Sequence, residues 1–201
     1  MIHAVLLPGF GGQADQPILK KLSALLAPLG VKCMRRAPPR MKLDPELGEY
    51  VGWLEKVVAK LDGPVVVVGR SFGGRLAVRL AAKRELAAVV LLGFPIGPPA
   101  KPRPLDEAAL GACPCPTLVV QGDDDELGPL EVIERVAKSN PRVQVEVLEG
   151  AGHSFGRLER EALTRSVAWL QKTLLIQAAP HVDPDARVAR RATRAGSRSS
   201  R

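Results

Sequence analysis

Val65-Val66-Val67-Val68-Gly69-Arg70-Ser71-Phe72-Gly73-Gly74-Arg75-Leu76-Ala77 is the stretch whose reading decides the fold. Four valines in a row predict a buried strand, and the alanine- and leucine-rich residues after Phe72 predict a helix. Between them lies Gly69-Arg70-Ser71-Phe72-Gly73, a G-x-S-x-G turn. In a strand–turn–helix setting such a turn lifts the serine hydroxyl clear of the backbone, and its glycines let neighbouring chain pass close by. The motif is weak by itself, because small residues are common in turns. The flanking strand and helix are what make Ser71 a candidate nucleophile.

Working outward, Ile2 to Leu7 reads as a first strand, followed by the glycine-rich turn Pro8 to Gly12. Pro17 opens a helix whose Leu19, Leu22, Leu26 and Leu29 share a face. Val31 to Met34 is a second strand, and Arg35 to Met41 a basic, proline-containing loop. Asp44-Pro45 predicts the start of a helix carrying Leu47, Val51, Leu54 and Val58. After the helix at 72–83, Ala88 to Leu92 is a fourth strand, and Gly93 to Pro116 reads as a proline-rich loop. Thr117 to Val120 and Val143 to Leu148 are further strands, with a helix opening at Pro129 between them and a closing helix over 158–175. Strands this continuously apolar belong to a mostly parallel sheet covered on both faces. The fold class is therefore α/β, with three layers, and ligands belong at the carboxyl ends of the strands.

The 201 residues are 46% hydrophobic but only 3% aromatic, so the core is built from Val, Leu, Ile and Ala. One domain over residues 1–177 suits this length. No window approaches the roughly 18 unbroken apolar residues of a membrane span. The opening MIHAVLLPG enters a strand at once and is too short for a signal peptide. Cys33, Cys113 and Cys115 make an odd count without a disulfide framework, which points to a reducing, cytoplasmic setting. The formal charge is +8, and residues 178–201 carry six arginines against two aspartates. This tail is too poor in large apolar side chains to fold alone. It is capable of holding nucleic acid or an acidic surface loosely. A solubilising extension is the simpler reading.

A serine hydroxyl needs a base, and the base needs an orienting acid. Of three histidines, His3 lies at the wrong end of the first strand and His181 in the tail. That leaves His153, in the glycine-rich loop after the sixth strand. The acid is expected after the fifth strand, in Gln121-Gly122-Asp123-Asp124-Asp125-Glu126, with Asp125 first choice and Asp123 the alternative. The chain order Ser, Asp, His is that of the triad built on a doubly wound sheet. A developing oxyanion needs preset donors. The N–H of Phe72 supplies one, and Phe10, or alternatively Gly11, the other. No Lys-Ser/Thr pair follows the first glycines, which argues against a nucleotide P-loop. Arg70 beside the elbow is a candidate contact for a substrate carboxylate, and the arginines of the 35–40 loop add positive charge. Arg75 and Arg79 read as the solvated side of a helix. No cofactor or metal is expected, and Cys113-Pro114-Cys115 lacks ligand partners.

Together GRSFGGR (69–75), LLGFPIGPP (91–99), QGDDDELG (121–128) and GAGHSF (150–155) resemble the small α/β-hydrolase superfamily proteins of the testis-expressed-30 and KANSL3-like group. The resemblance covers residues 2–175. It implies the sheet order 2-1-3-4-5-6, lacking the first two strands of the full hydrolase fold, and it places the acid on Asp125. It also aligns Phe94 to Pro99 with the Y-P-x-x-P-P loop of that group, whereas Pro8-Gly9 stands where the group has His-Gly. The expected activity is hydrolysis of a small ester, thioester or lactone through an acyl-enzyme. The rival is a non-catalytic scaffold that keeps an idle triad.

Overall fold

The computed structural model describes residues 1–97 and 100–178. Pro98 and Pro99, at the end of the 94–99 loop, and the basic tail from 179 on lie outside the described residues. Six strands, β1 (Ile2–Leu7), β2 (Val31–Arg35), β3 (Val65–Arg70), β4 (Ala88–Leu92), β5 (Thr117–Gly122) and β6 (Val143–Leu148), form one sheet in the order β2-β1-β3-β4-β5-β6. Every neighbouring pair is parallel. The class and order agree with the sequence reading.

Strand periodicity divides the core in two. Val5, Leu7, Val65, Val67, Val89, Leu91 and Val119 face one side. There they pack under α2 (Gly48–Val58), α3 (Phe72–Ala81), α4 (Pro104–Gly111) and α5 (Leu130–Ser139). Ala4, Leu6, Val66, Val68, Val90, Leu92, Leu118 and Val120 face the other. They are covered by α1 (Pro17–Leu26) and α6 (Glu159–Ala178). The four valines of β3 thus alternate between both cores, which is why they need no polar face.

Three expectations are corrected. Leu29 sits in a short 3-10 turn after α1 and is 37% exposed, because Gly30 in the left-handed region ends the helix there. The Asp44-Pro45 start is one turn early. Leu47 takes a left-handed φ of 54°, and the Asp44 carboxylate accepts from the Gly48 N–H at 3.3 Å. Finally, the 93–116 segment is not all loop. Pro104 sits in the first turn of α4 with Asp106 and Glu107, an arrangement that favours helix initiation.

Helix α4 also overturns the solvated reading of Arg75 and Arg79. Both lie against Asp106, which is fully buried. Arg75 Nε donates to Asp106 Oδ2 at 2.5 Å, and Arg79 Nη2 donates to Oδ1 at 2.8 Å. The pairs pin α4 to α3 (breaking such a buried pair costs about 3–5 kcal/mol). They hold the β4–β5 crossover down over the sheet instead of raising it as a lid.

Candidate active site

The turn between β3 and α3 works only with small residues around Ser71. A Cβ on Gly69 would lie 2.2 Å from the Gly74 nitrogen, and one on Gly73 would lie 2.7 Å from the Leu7 Cβ. Ser71 itself takes φ 49° and ψ −115°, a conformation that costs a non-glycine residue about 1–3 kcal/mol. Its N–H is tied to the Leu92 carbonyl at 3.0 Å. Replacing Gly69 by alanine drives the new methyl into backbone, so a loss of about 4 kcal/mol or more is expected. Urea unfolding followed by the fluorescence of Trp53 and Trp169 checks this.

Three loops from three strand ends converge here. His153 Nε2 lies 2.9 Å from Ser71 Oγ. His153 Nδ1 lies 2.8 Å from Asp125 Oδ2 and 2.9 Å from Oδ1. The Asp125 side chain is fully buried, and that of His153 is 17% exposed. Asp123 is instead exposed, and its carboxylate accepts from the Gly150 N–H at 2.7 Å, closing the turn before His153.

The tautomer follows from the partners. Arg70 Nη1 stands 3.2 Å from His153 Nε2, and a guanidinium can only donate. Nε2 therefore accepts, and Nδ1 carries the proton towards Asp125. The same guanidinium donates to the Leu92 carbonyl at 3.1 Å and to the His153 carbonyl at 2.5 Å, and it lies over the Phe155 ring. Arg70 is 8% exposed. Burial pulls its guanidinium below the ordinary value, and the Asp125 carboxylate partly offsets that pull. These contacts put Arg70 behind the histidine loop, engaged in holding it.

Sequence reasoning missed Gln121. It is fully buried at the end of β5. Its Nε2 donates to Asp125 Oδ2 at 2.7 Å and to the Gly128 carbonyl at 2.8 Å, while its Oε1 accepts from the Phe94 N–H at 2.7 Å. With the Leu127 N–H on Oδ1 at 2.9 Å, it orients the carboxylate. A polar side chain inside an otherwise apolar strand, Leu118-Val119-Val120-Gln121, is the signal that could have found it.

The expected donors are open. Among the described residues, Gly9 N–H is taken by Gln16 Oε1 and Gly12 N–H by the Gly9 carbonyl, whereas the N–H groups of Phe10, Gly11 and Phe72 have no partner. The Phe10 and Phe72 rings meet edge to face at 5.4 Å. A cleft of about 390 Å³ opens alongside them.

The cysteine pair lies at the opposite end of β5. Cys113 and Cys115 sulfurs are 3.9 Å apart, hydrogen-bonded but not joined by a disulfide. The hydrogen bond from its neighbour holds Cys113 down at about 6, while the same contact and burial push Cys115 up. No group of three or more His, Cys, Asp or Glu side chains able to hold a metal ion occurs among the described residues. None of the described helices is long and apolar enough to cross a membrane.

Known structures share this architecture. One assigned to the α/β superfamily of hydrolases, from Xanthomonas campestris pv. campestris, is 24% identical with a TM-score of 0.66, over 85% of this chain and 98% of that one. Est1E from Butyrivibrio proteoclasticus, solved with ferulic acid bound, is 17% identical with a TM-score of 0.74, over 87% of this chain and 90% of its own. The monoacylglycerol lipase of Paleococcus ferrophilus is 15% identical with a TM-score of 0.71, over 85% and 94%. At these identities the likeness speaks for the fold. A family model, the alpha/beta hydrolase domain, matches residues 5–179. That match spans the sheet, the serine elbow and the histidine loop alike, and by it the chain belongs to the alpha/beta hydrolase family.

Proposed function

We propose that this chain is a serine hydrolase of small esters, thioesters or lactones, with Ser71 as nucleophile, His153 as base and Asp125 as the orienting acid. The observation that carries the reading is the unbroken path from Ser71 Oγ through the two nitrogens of His153 to Asp125, each step 2.9 Å or less. Ser71 Oγ bonds to the acyl carbon while its proton passes to Nε2. The carbonyl electron pair moves onto oxygen, where the N–H groups of Phe72 and Phe10, or Gly11, receive it. The tetrahedral species collapses, the bond to the leaving oxygen or sulfur breaks, and that atom takes the proton from Nε2. Water then attacks the acyl-serine and gives its proton to Nε2; the second tetrahedral species collapses, its bond to Ser71 Oγ breaks, Oγ takes the proton back from Nε2, and the acid leaves. Asp125 accepts from Nδ1–H throughout.

The finer placement is in the testis-expressed-30-like group, supported by GRSFGGR and by the histidine loop. Three free cysteines favour a reducing compartment such as the cytoplasm. The domain is read as ending near residue 177, with the basic tail beyond it. The test is release of nitrophenol from short p-nitrophenyl esters and of thiol from matching thioesters. Turnover well above that of Ser71→Ala is expected; rates equal to it would favour a scaffold with an idle triad.

A further inference from the structure

Resting on the hydrolase reading, we propose that the preferred substrate has a short apolar acyl chain ending in a carboxylate, and that Arg40 recognises that carboxylate. The cleft next to the elbow is lined by Phe10, Phe72 and Tyr50 together with Pro38, Pro39 and Arg40. Gly9 to Gly12, which carry the open N–H groups of Phe10 and Gly11, also line it. The cleft therefore adjoins the candidate oxyanion donors. Phe72 packs edge-on against both Phe10 and Tyr50, with centroids 5.4 and 5.2 Å apart, so the three rings give the cleft an apolar lining.

Arg40 is the one charged residue among those lining the cleft, and no carboxylate faces it there. Among the described residues Arg40 makes no ion pair or hydrogen bond. Its neighbour Met41 is clamped: Met41 N–H donates to Tyr50 Oη at 3.3 Å, and Tyr50 Oη donates to the Met41 carbonyl at 3.1 Å. The backbone that presents Arg40 is thus held before any ligand arrives, which reduces the ordering cost of binding. A volume of about 390 Å³ is at the small end for ligand sites and suits a short chain. A planar guanidinium in the same cleft suits a carboxylate. Arg70, the sequence candidate for this task, is committed behind the histidine.

The experiment compares mono-p-nitrophenyl adipate with p-nitrophenyl hexanoate, which share chain length and leaving group and differ in the terminal carboxylate. The full chain is expected to favour the adipate in kcat/KM. Arg40→Ala is expected to lower the adipate-to-hexanoate ratio about 10-fold, mainly through KM. Arg40→Lys should recover part of it. Lys42→Ala removes a nearby exposed charge and should leave the ratio within about twofold, which separates a specific contact from a diffuse field. Equal ratios for the native chain and Arg40→Ala, or a native preference for the hexanoate, would overturn the carboxylate assignment while leaving the hydrolase reading intact. Hydrolysis of neither ester by folded protein would overturn both.

Discussion

Ser71→Ala is expected to lower kcat for a p-nitrophenyl ester on the order of 10⁶-fold while leaving the fold in place. Alanine keeps the Cβ, so the turn at φ 49° and ψ −115° keeps its strain, and only the contact with His153 Nε2 is lost. Ser71→Gly is equally inactive in this account but is expected to be more stable by about 1 kcal/mol, because glycine relieves the positive φ. Steady-state kinetics and urea midpoints together read both effects. A serine that matters only as part of a turn would show the stability change without the catalytic one.

Asp125→Asn is expected to cost about 10⁴ in kcat. The carboxylate accepts from Gln121 Nε2, from the Leu127 N–H and from His153 Nδ1, and no donor position is free around it. An asparagine amide must set its NH₂ against one of those donors, or turn the imidazole to the wrong tautomer. Asp123→Asn should change kcat by no more than about twofold, since the amide oxygen can still accept from Gly150 N–H. The reverse ranking of the two variants would reassign the acid. Parallel kinetics on the two proteins make the comparison.

What the sequence discloses follows from how local each signal is. The β3–elbow–α3 unit is legible because valines, glycines and a helix-forming run stand side by side. Strand order is not local, and it enters through resemblance to whole chains. Helix α4 escapes notice because prolines dominate its approach, although Pro104 followed by Asp106 and Glu107 is a helix start. Missing α4 then misreads Arg75 and Arg79, whose partner Asp106 lies 31 and 27 residues away. The identity and order of Ser71, Asp125 and His153 can be read from loop positions. The supports cannot: Arg70 reaches across 83 residues to His153, and Gln121 joins Phe94, Asp125 and Gly128. Such contacts depend on register between strands, which periodicity does not encode.

The most direct test is reaction with a fluorophosphonate, a reagent that phosphonylates a serine only when a base and oxyanion donors activate it. Intact mass should show one adduct per chain, digestion should locate it in the tryptic peptide 71–75, and Ser71→Ala should show none. Folded protein that stays unmodified under excess reagent, or an adduct on a different serine, would contradict the account.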